Sequence, residues 1–136
     1  MAKLEVRGLG AIRVDFERMA DGLSQRVRTA MDSAAQALAR SVQDAGARAF
    51  RGKKPDEPLE SLVAPGPPLI TRDFWTIEVW PQGDYTGIRG KPRPAVKVGF
   101  VMEYGHSGMR GTKWFSRGTK QAERRVQDIL DEIIGG

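Results

Sequence analysis

Few side chains in this sequence could perform catalysis. His106 is the single histidine, Glu103 lies three residues before it, and Ser107 directly follows it. A Ser–His–acid relay requires three groups that converge in space, and adjacent positions in a glycine-rich segment do not supply that convergence. The chain contains no cysteine, which excludes thiol catalysis, thiolate metal sites and disulfides. We therefore predict that the protein has no catalytic residues and that His106 is a hydrogen-bonding group at a surface or an interface.

The acidic residues and the glycines do not follow a pattern typical of an enzyme or a nucleotide site. The pairs Asp56–Glu57 and Asp131–Glu132 lack the apolar surroundings that acid–base catalysis by a carboxyl group requires. No cluster has the ligands of a dedicated metal site. The segment 105–111 is rich in glycine but lacks the lysine–hydroxyl pair that ends a phosphate-binding loop. We expect a non-enzyme without metal or cofactor, whose glycines allow tight turns or the close approach of another chain.

Positive charge is concentrated in one stretch of the chain. The formal net charge is +5, but residues 87–117 contain seven basic residues and one acidic residue, so this stretch carries +6 and the remainder carries −1. The seven basic residues are Arg89, Lys91, Arg93, Lys97, Arg110, Lys113 and Arg117. They form either a solvated loop or an arm that lies near phosphates or an acidic partner surface. We interpret all of them except Lys97 as candidates for a subunit interface or a DNA-facing surface.

Two aromatic residues, Trp114 and Phe115, lie between Lys113 and Arg117. Aromatic rings among cations could stack on bases and hold phosphates. The same two rings could instead anchor the start of the last helix onto the sheet, and this second interpretation is the favoured one.

The elements that position these residues follow from hydrophobic periodicity. Apolar residues recur at three- and four-residue steps over 12–50, and Asp21–Gly22 marks a break. We predict a short extended segment at 1–10, a short helix at 12–21 and a long helix at 23–50. A last helix is predicted to begin near Ser116 or Thr119. Its apolar positions are Ala122, Val126, Ile129, Leu130, Ile133 and Ile134.

Between the helices the pattern favours two strands and two long loops. Alternating apolar residues predict strands at 69–80 and 95–102 that pair antiparallel. Five of the eight prolines lie between Pro55 and Pro68, which predicts a loop at 51–68, and 103–117 is predicted to be a basic, glycine-rich loop. The expected fold is one α+β domain over 1–136, with a long N-terminal helix and a C-terminal helix packed on a small antiparallel sheet with long loops.

One part of the sequence resembles a known family. The run Val101-Met102-Glu103-Tyr104-Gly105-His106, followed by Trp114-Phe115-Ser116-Arg117 and an amphipathic helix, resembles the neck and tail-completion proteins of long-tailed bacteriophages, also called head–tail connector or minor tail proteins. The specific part is Glu103-Tyr104-Gly105 with Phe115, and the element order matches over nearly the whole chain. Trp114 and Gly118 stand where the family usually has prolines.

The resemblance implies a structural virion protein that is assembled in the host cytoplasm. Such a protein is a ring-forming homo-oligomer, often a hexamer, in the neck or tail of the particle. Its neighbours would be neck or adaptor proteins and the tail terminator or tail tube. The 51–68 loop and the 87–117 stretch would contact adjacent subunits, since ring closure joins two different surfaces.

Further expectations concern other partners. Any contact with passing DNA is expected to be non-specific. No segment approaches the ~20 apolar residues that a membrane span needs, so no membrane partner is expected. The alternative is a small basic protein that binds nucleic acid without sequence preference. The chain lacks a recognisable helix–turn–helix, zinc or ribonucleoprotein motif for that role.

Overall fold

The computed structural model describes residues 2–7, 10–16, 23–50, 55–70, 74–88 and 90–135. Its helices are α1 (Leu23–Ala49), α2 (Ala95–Tyr104) and α3 (Trp114–Gly135), with one 3-10 turn at Leu59–Leu62. Its strands are β1 (Ala2–Arg7), β2 (Ala11–Phe16), β3 (Val63–Pro65), β4 (Leu69–Ile70), β5 (Phe74–Pro81), β6 (Asp84–Thr86), β7 (Pro92–Pro94), β8 (Gly105–His106) and β9 (Met109–Arg110).

The main sheet is antiparallel and is built around β5. Strand β2 pairs with one side of β5, with Ile12 opposite Ile77, and β1 extends the sheet beyond β2. On the other side, β4 pairs with the first half of β5 and β3 with its end. Two small hairpins, β6–β7 and β8–β9, flank α2. The predicted α+β fold, with long N-terminal and C-terminal helices on a small antiparallel sheet, is confirmed.

The core lies between the sheet and the pair of long helices. Helix α1 packs on β5 and β3 and, most extensively, on α3. The buried side of α1 is rich in alanine, and Ser41 Oγ donates a hydrogen bond to the Gly118 carbonyl of α3 at 2.8 Å. The fully buried side chains include Val27, Met31, Leu38 and Val42 of α1, Trp114, Val126 and Leu130 of α3, and Ile12 and Val79 of the sheet. In the described part of the chain, no helix is both long and apolar enough to cross a membrane.

The prediction of a helix at 12–21 is wrong over its described part. Residues 11–16 form β2, whose side-chain period is two, and residues 17–22 lie outside the described part of the chain. The apolar residues Ile12, Val14 and Phe16 alternate with Arg13 and Asp15, which suits a strand that is paired on both sides. The predicted extended segment at 1–10 contains β1, and the long helix predicted at 23–50 matches α1.

The prediction of a strand at 95–102 is also wrong, because this segment is helix α2. The alternating apolar residues fit a strand, but the buried residues of α2 are Ala95, Gly99 and Glu103, which recur every four residues as on one helix face. Partners of β5 are therefore β2, β3 and β4 instead of 95–102. The other predicted strand, 69–80, corresponds to β4 and β5, and residues 71–73 between them lie outside the described residues.

The 51–68 segment is not a loop throughout, which corrects the prediction made from its prolines. Residues 51–54 lie outside the described part, but 59–65 form the 3-10 turn and β3. Leu59 and Val63 belong to the core, and the Val63 carbonyl accepts a hydrogen bond from Gln43 Nε2 at 2.8 Å. Prolines occupy the ends of these elements, where a missing backbone N–H costs little. Residues 59–63 therefore contribute to the folded core.

Candidate functional site

Glu103 joins the end of α2 to the start of α3. Its side chain is only 1% exposed. The carboxylate accepts hydrogen bonds from the backbone N–H groups of Phe115 at 2.8 Å and Ser116 at 3.1 Å, and a third from the Ser116 hydroxyl. Helix N-termini leave backbone N–H groups unpaired and favour negative charge, so this buried carboxylate caps α3. The cap starts α3 at Trp114, earlier than the predicted Ser116 or Thr119.

Gly105 makes the reversal that follows α2 possible. Its φ of +82° lies in the region that side chains disfavour, and a Cβ there would lie 2.5 Å from the Met109 carbonyl oxygen and the Gly111 nitrogen. The chain then forms the short β8–β9 hairpin, so 103–117 is not the continuous loop that the glycines suggested. A Cβ at Gly108, at the tip of the hairpin, would meet nothing closer than a His106 ring atom at 3.5 Å.

Trp114 and Phe115 anchor the first turn of α3 in the core. Trp114 has no exposed surface, and its Nε1 donates a hydrogen bond to the Gly99 carbonyl at 3.2 Å. Its ring centroid lies 5.2 Å from that of Phe115 and 5.0 Å from that of Phe50. Rings buried in this way cannot stack on bases, so of the two interpretations of this pair the structure supports the anchoring one.

Helix α2 carries a row of exposed apolar side chains, which we call the apolar ridge. Its members are Val96, Phe100, Val101 and Tyr104, exposed by 38%, 53%, 44% and 55%. The Phe100 and Tyr104 rings stack with centroids 6.0 Å apart and planes 10° from parallel. Beside the ridge, an open groove of about 640 Å³ lies between α2 and the end of β5, where Trp80 and Pro81 line it. Contiguous exposed apolar surface of this kind is typical of a protein-binding surface.

Four basic side chains meet in an open cleft, which we call the cationic cleft. Its cations are Arg48, Arg110, Lys113 and Arg117, and the cleft has a volume of about 670 Å³. Arg48 Nη2 donates a hydrogen bond to Gln121 Oε1 at 2.8 Å, and Lys113 Nζ lies 4.9 Å from the centroid of the Tyr104 ring. Over the described ranges of the chain, no carboxylate lines the cleft. The cleft has the charge and the openness to bind an anion.

The structure separates the basic residues that the sequence grouped together. Arg110, Lys113 and Arg117 meet in the cationic cleft, whereas Lys91 and Arg93 line a different depression beside Tyr85. Arg89 lies outside the described residues. Arg48 could not be predicted as a member of this cleft. It lies at the end of α1, far in sequence from the hairpin and from α3, and nothing in the sequence indicates that the fold brings them together.

The remaining candidates have surface roles. His106 is exposed and its Nδ1 accepts a hydrogen bond from the Gly108 N–H at 3.2 Å, while the Glu103 carboxylate is bonded to α3. Tyr104, at the end of α2, is exposed. Within the ranges that the structure describes, no group of three or more His, Asp or Glu side chains could hold a metal ion.

Comparison of the chain with models of protein families, with curated proteins and with solved structures finds no match. The apolar ridge and the cationic cleft are therefore the basis on which a function is assigned.

Proposed function

We propose that this protein is a ring-forming subunit in the neck or tail of a long-tailed bacteriophage. In this role it is a tail-completion protein that joins the capsid connector to the tail tube and leaves a passage for DNA. The apolar ridge is the observation that carries the proposal. Single exposed apolar side chains are common on soluble proteins, but four on one short helix form a continuous surface that association with protein would cover.

The partner that fits the ridge is a second copy of this chain. A ring needs two different surfaces on each subunit, one that meets the preceding copy and one that meets the next. Exposed cations outnumber acids near the ridge, because Lys97 lies on α2 and Lys91 and Arg93 precede it, whereas Glu78 is the one acid that lines the described groove. The last part of α3, residues 126–135, carries the exposed acids Asp128, Asp131 and Glu132 and no basic residue. These opposite charges are complementary in a head-to-tail arrangement.

The acidic end of α3 is unfavourable in an isolated subunit. The carbonyl groups at the C-terminus of a helix carry partial negative charge, so acidic side chains in the last turns are repelled by the helix itself. The cations near α2 of a neighbouring copy would offset that repulsion. Charge complementarity would therefore fix the direction of the contact, while burial of the ridge would stabilise it.

The residues behind the family resemblance have a shared role in this proposal. Glu103 caps α3, Gly105 turns the chain, and Phe115 anchors α3 in the core. Together they hold the ridge of α2 in a defined orientation to α3, as a rigid ring interface needs. This gives the Glu–aromatic–Gly step a physical purpose in a ring subunit.

The proposal is tested by measuring self-assembly of the purified chain. We expect light scattering coupled to size exclusion, together with negative-stain electron microscopy, to show a closed ring, with six subunits as the resemblance implies. Phe100→Asp should leave a folded monomer with an unchanged melting temperature, because Phe100 is largely exposed. Leu69→Asp is the matched control, since Leu69 is an equally exposed apolar residue outside the ridge.

Two outcomes would contradict the proposal. A wild-type chain that stays monomeric at every concentration would favour the alternative, a nucleic-acid-binding protein that acts as a free monomer. A Phe100→Asp variant that still forms rings would remove the ridge from the subunit interface.

A further inference from the structure

We infer that the cationic cleft of Arg48, Arg110, Lys113 and Arg117 binds the phosphodiester backbone of DNA without reading its bases. The inference rests on the proposed function for its setting, in which DNA passes the ring. The binding chemistry itself belongs to a single chain, because every residue of the cleft comes from one subunit.

The fold brings the four cations together from separate elements. Arg48 lies in the last turn of α1, Arg110 in β9, Lys113 directly before α3, and Arg117 in the first turn of α3. Like charges held near one another repel, and this repulsion is relieved when an anion enters between them. No carboxylate lines the cleft in the described part of the chain, and we therefore assign its anion to another molecule.

The chemistry of the cleft favours a phosphate polymer over a single small anion. Three of the four cations are arginines, whose planar guanidinium groups donate paired hydrogen bonds to phosphate oxygens. The cleft is open and about 670 Å³ in volume, so it admits a chain passing through it. One nucleic-acid strand carries a charge about every 3.4 Å of helix axis and can meet several of these cations at once.

The other lining residues offer no means of reading sequence. Ala49 and Gly111 have no polar side-chain atom, and the Thr112 hydroxyl already donates to the Met102 carbonyl at 2.7 Å. Tyr104 at the edge of the cleft belongs to the apolar ridge, and its ring already stacks on Phe100. Binding through this cleft is therefore electrostatic and independent of base identity.

The test measures binding to a labelled DNA of mixed sequence at increasing salt concentrations. Binding is monitored by fluorescence anisotropy. The cleft variant is R48Q/R110Q/R117Q, and the matched control is R26Q/R28Q/R40Q, which removes the same charge from exposed positions of α1 outside the cleft lining. We expect the cleft variant to bind about tenfold or more weakly, with a log–log salt slope smaller by about 2 to 3, and the control to resemble wild type. Equal losses in both variants would mean that binding follows net charge, and would overturn the inference.

Two further arms separate the remaining explanations. Poly-L-glutamate is used as a competitor, and displacement of DNA at equal charge concentration would show that the cleft suits an acidic protein surface, which overturns the inference. The double variant R110Q/R117Q keeps Arg48 and its hydrogen bond to Gln121. It replaces the triple variant in the same measurement if the triple variant unfolds.

Failure of the ring and failure of the cleft give different results. If the protein never forms rings but the chain binds DNA through the cleft, only the proposed ring function fails. If rings form but the cleft variant binds DNA as tightly as wild type does, the cleft inference alone fails. The monomeric Phe100→Asp variant should keep wild-type DNA affinity per chain.

Discussion

At the scale of single residues, Glu103 has the largest structural role among the residues that the sequence singled out. A carboxylate with 1% exposure is costly to bury, and it is stable only where hydrogen bonds and positive potential offset the lost hydration. The first turn of α3 supplies both through the N–H groups of Phe115 and Ser116. These partners lie 12 and 13 residues from Glu103 in sequence, so the cap could not be found from its neighbours in the chain.

Replacing Glu103 tests this cap directly. Glu103→Ala should lower the free energy of unfolding by about 2 to 3 kcal/mol, because buried N–H groups lose their acceptor. Glu103→Gln keeps one acceptor oxygen and should lose about 1 kcal/mol. Urea denaturation measures both, with Glu123→Ala on the exposed side of α3 as the control. Equal stabilities of Glu103→Ala and Glu123→Ala would show that the cap contributes nothing.

At the scale of elements, the contact between α1 and α3 depends on small residues. The buried side of α1 contains Ala30, Ala34, Ala35 and Ala39, and α3 presents Gly118 to the same helix. A Cβ at Gly118 would lie 2.5 Å from the Cα of Val42. Because the colliding atom belongs to the backbone, no side-chain rotation relieves the collision, and the helices would have to separate.

Gly118→Ala distinguishes helix propensity from packing. Replacing glycine by alanine within a helix raises the free energy of unfolding by about 1 kcal/mol. Overpacking a tight contact lowers it by about 1 to 3 kcal/mol. We expect packing to dominate and the variant to lose about 2 kcal/mol net, because the collision is with backbone. Thermal and urea unfolding measure the change, with Gly108→Ala as the control, since a Cβ there would meet only the His106 ring at an ordinary contact distance of 3.5 Å. A stabilised Gly118→Ala variant would mean that the two helices can adjust at no cost.

At the scale of the whole molecule, charge is distributed unevenly in a way that suits association. The 87–117 stretch carries +6, while the last part of α3 carries three acids and no base. In the described part of the chain no carboxylate lines the cationic cleft, so the acids at the end of α3 do not neutralise it. Both regions carry exposed charged side chains, and in our proposals the acidic end meets a neighbouring subunit and the cleft meets DNA.

Neutralising the acidic end of α3 should separate assembly from folding. The variant D128N/D131N/E132Q should weaken self-assembly at low salt, and should keep or raise the melting temperature of the monomer because the helix loses unfavourable charges. The control D32N/D44N/E123Q removes the same charge from exposed positions elsewhere. Sedimentation velocity over a range of salt concentrations measures assembly, since screening weakens charge pairs. Identical assembly of both variants would exclude the acidic end from the interface.

The sequence alone was enough to predict the fold class and the two long helices. Helices α1 and α3 are long, and their apolar residues repeat over several turns. The helical period is therefore clear even though single positions depart from it. Strand β5 was also predictable, because its alternating residues lie beside clear turn residues. The same reasoning placed Trp114 and Phe115 at the start of the last helix and favoured their role as anchors.

Tertiary structure decided the short segments and the site. The apolar residues of 95–104 fit a strand as well as a helix, and the choice depends on Ala95, Gly99 and Glu103 having neighbours to pack against. Residues 11–16 became a strand because β1 and β5 pair with them on both sides. Arg48 joined Arg110 and Arg117 only through the crossing of α1 and α3. Local periodicity determines the conformation of a long element. A short segment instead takes the conformation in which residues distant in sequence bury its apolar side chains and satisfy its backbone hydrogen bonds.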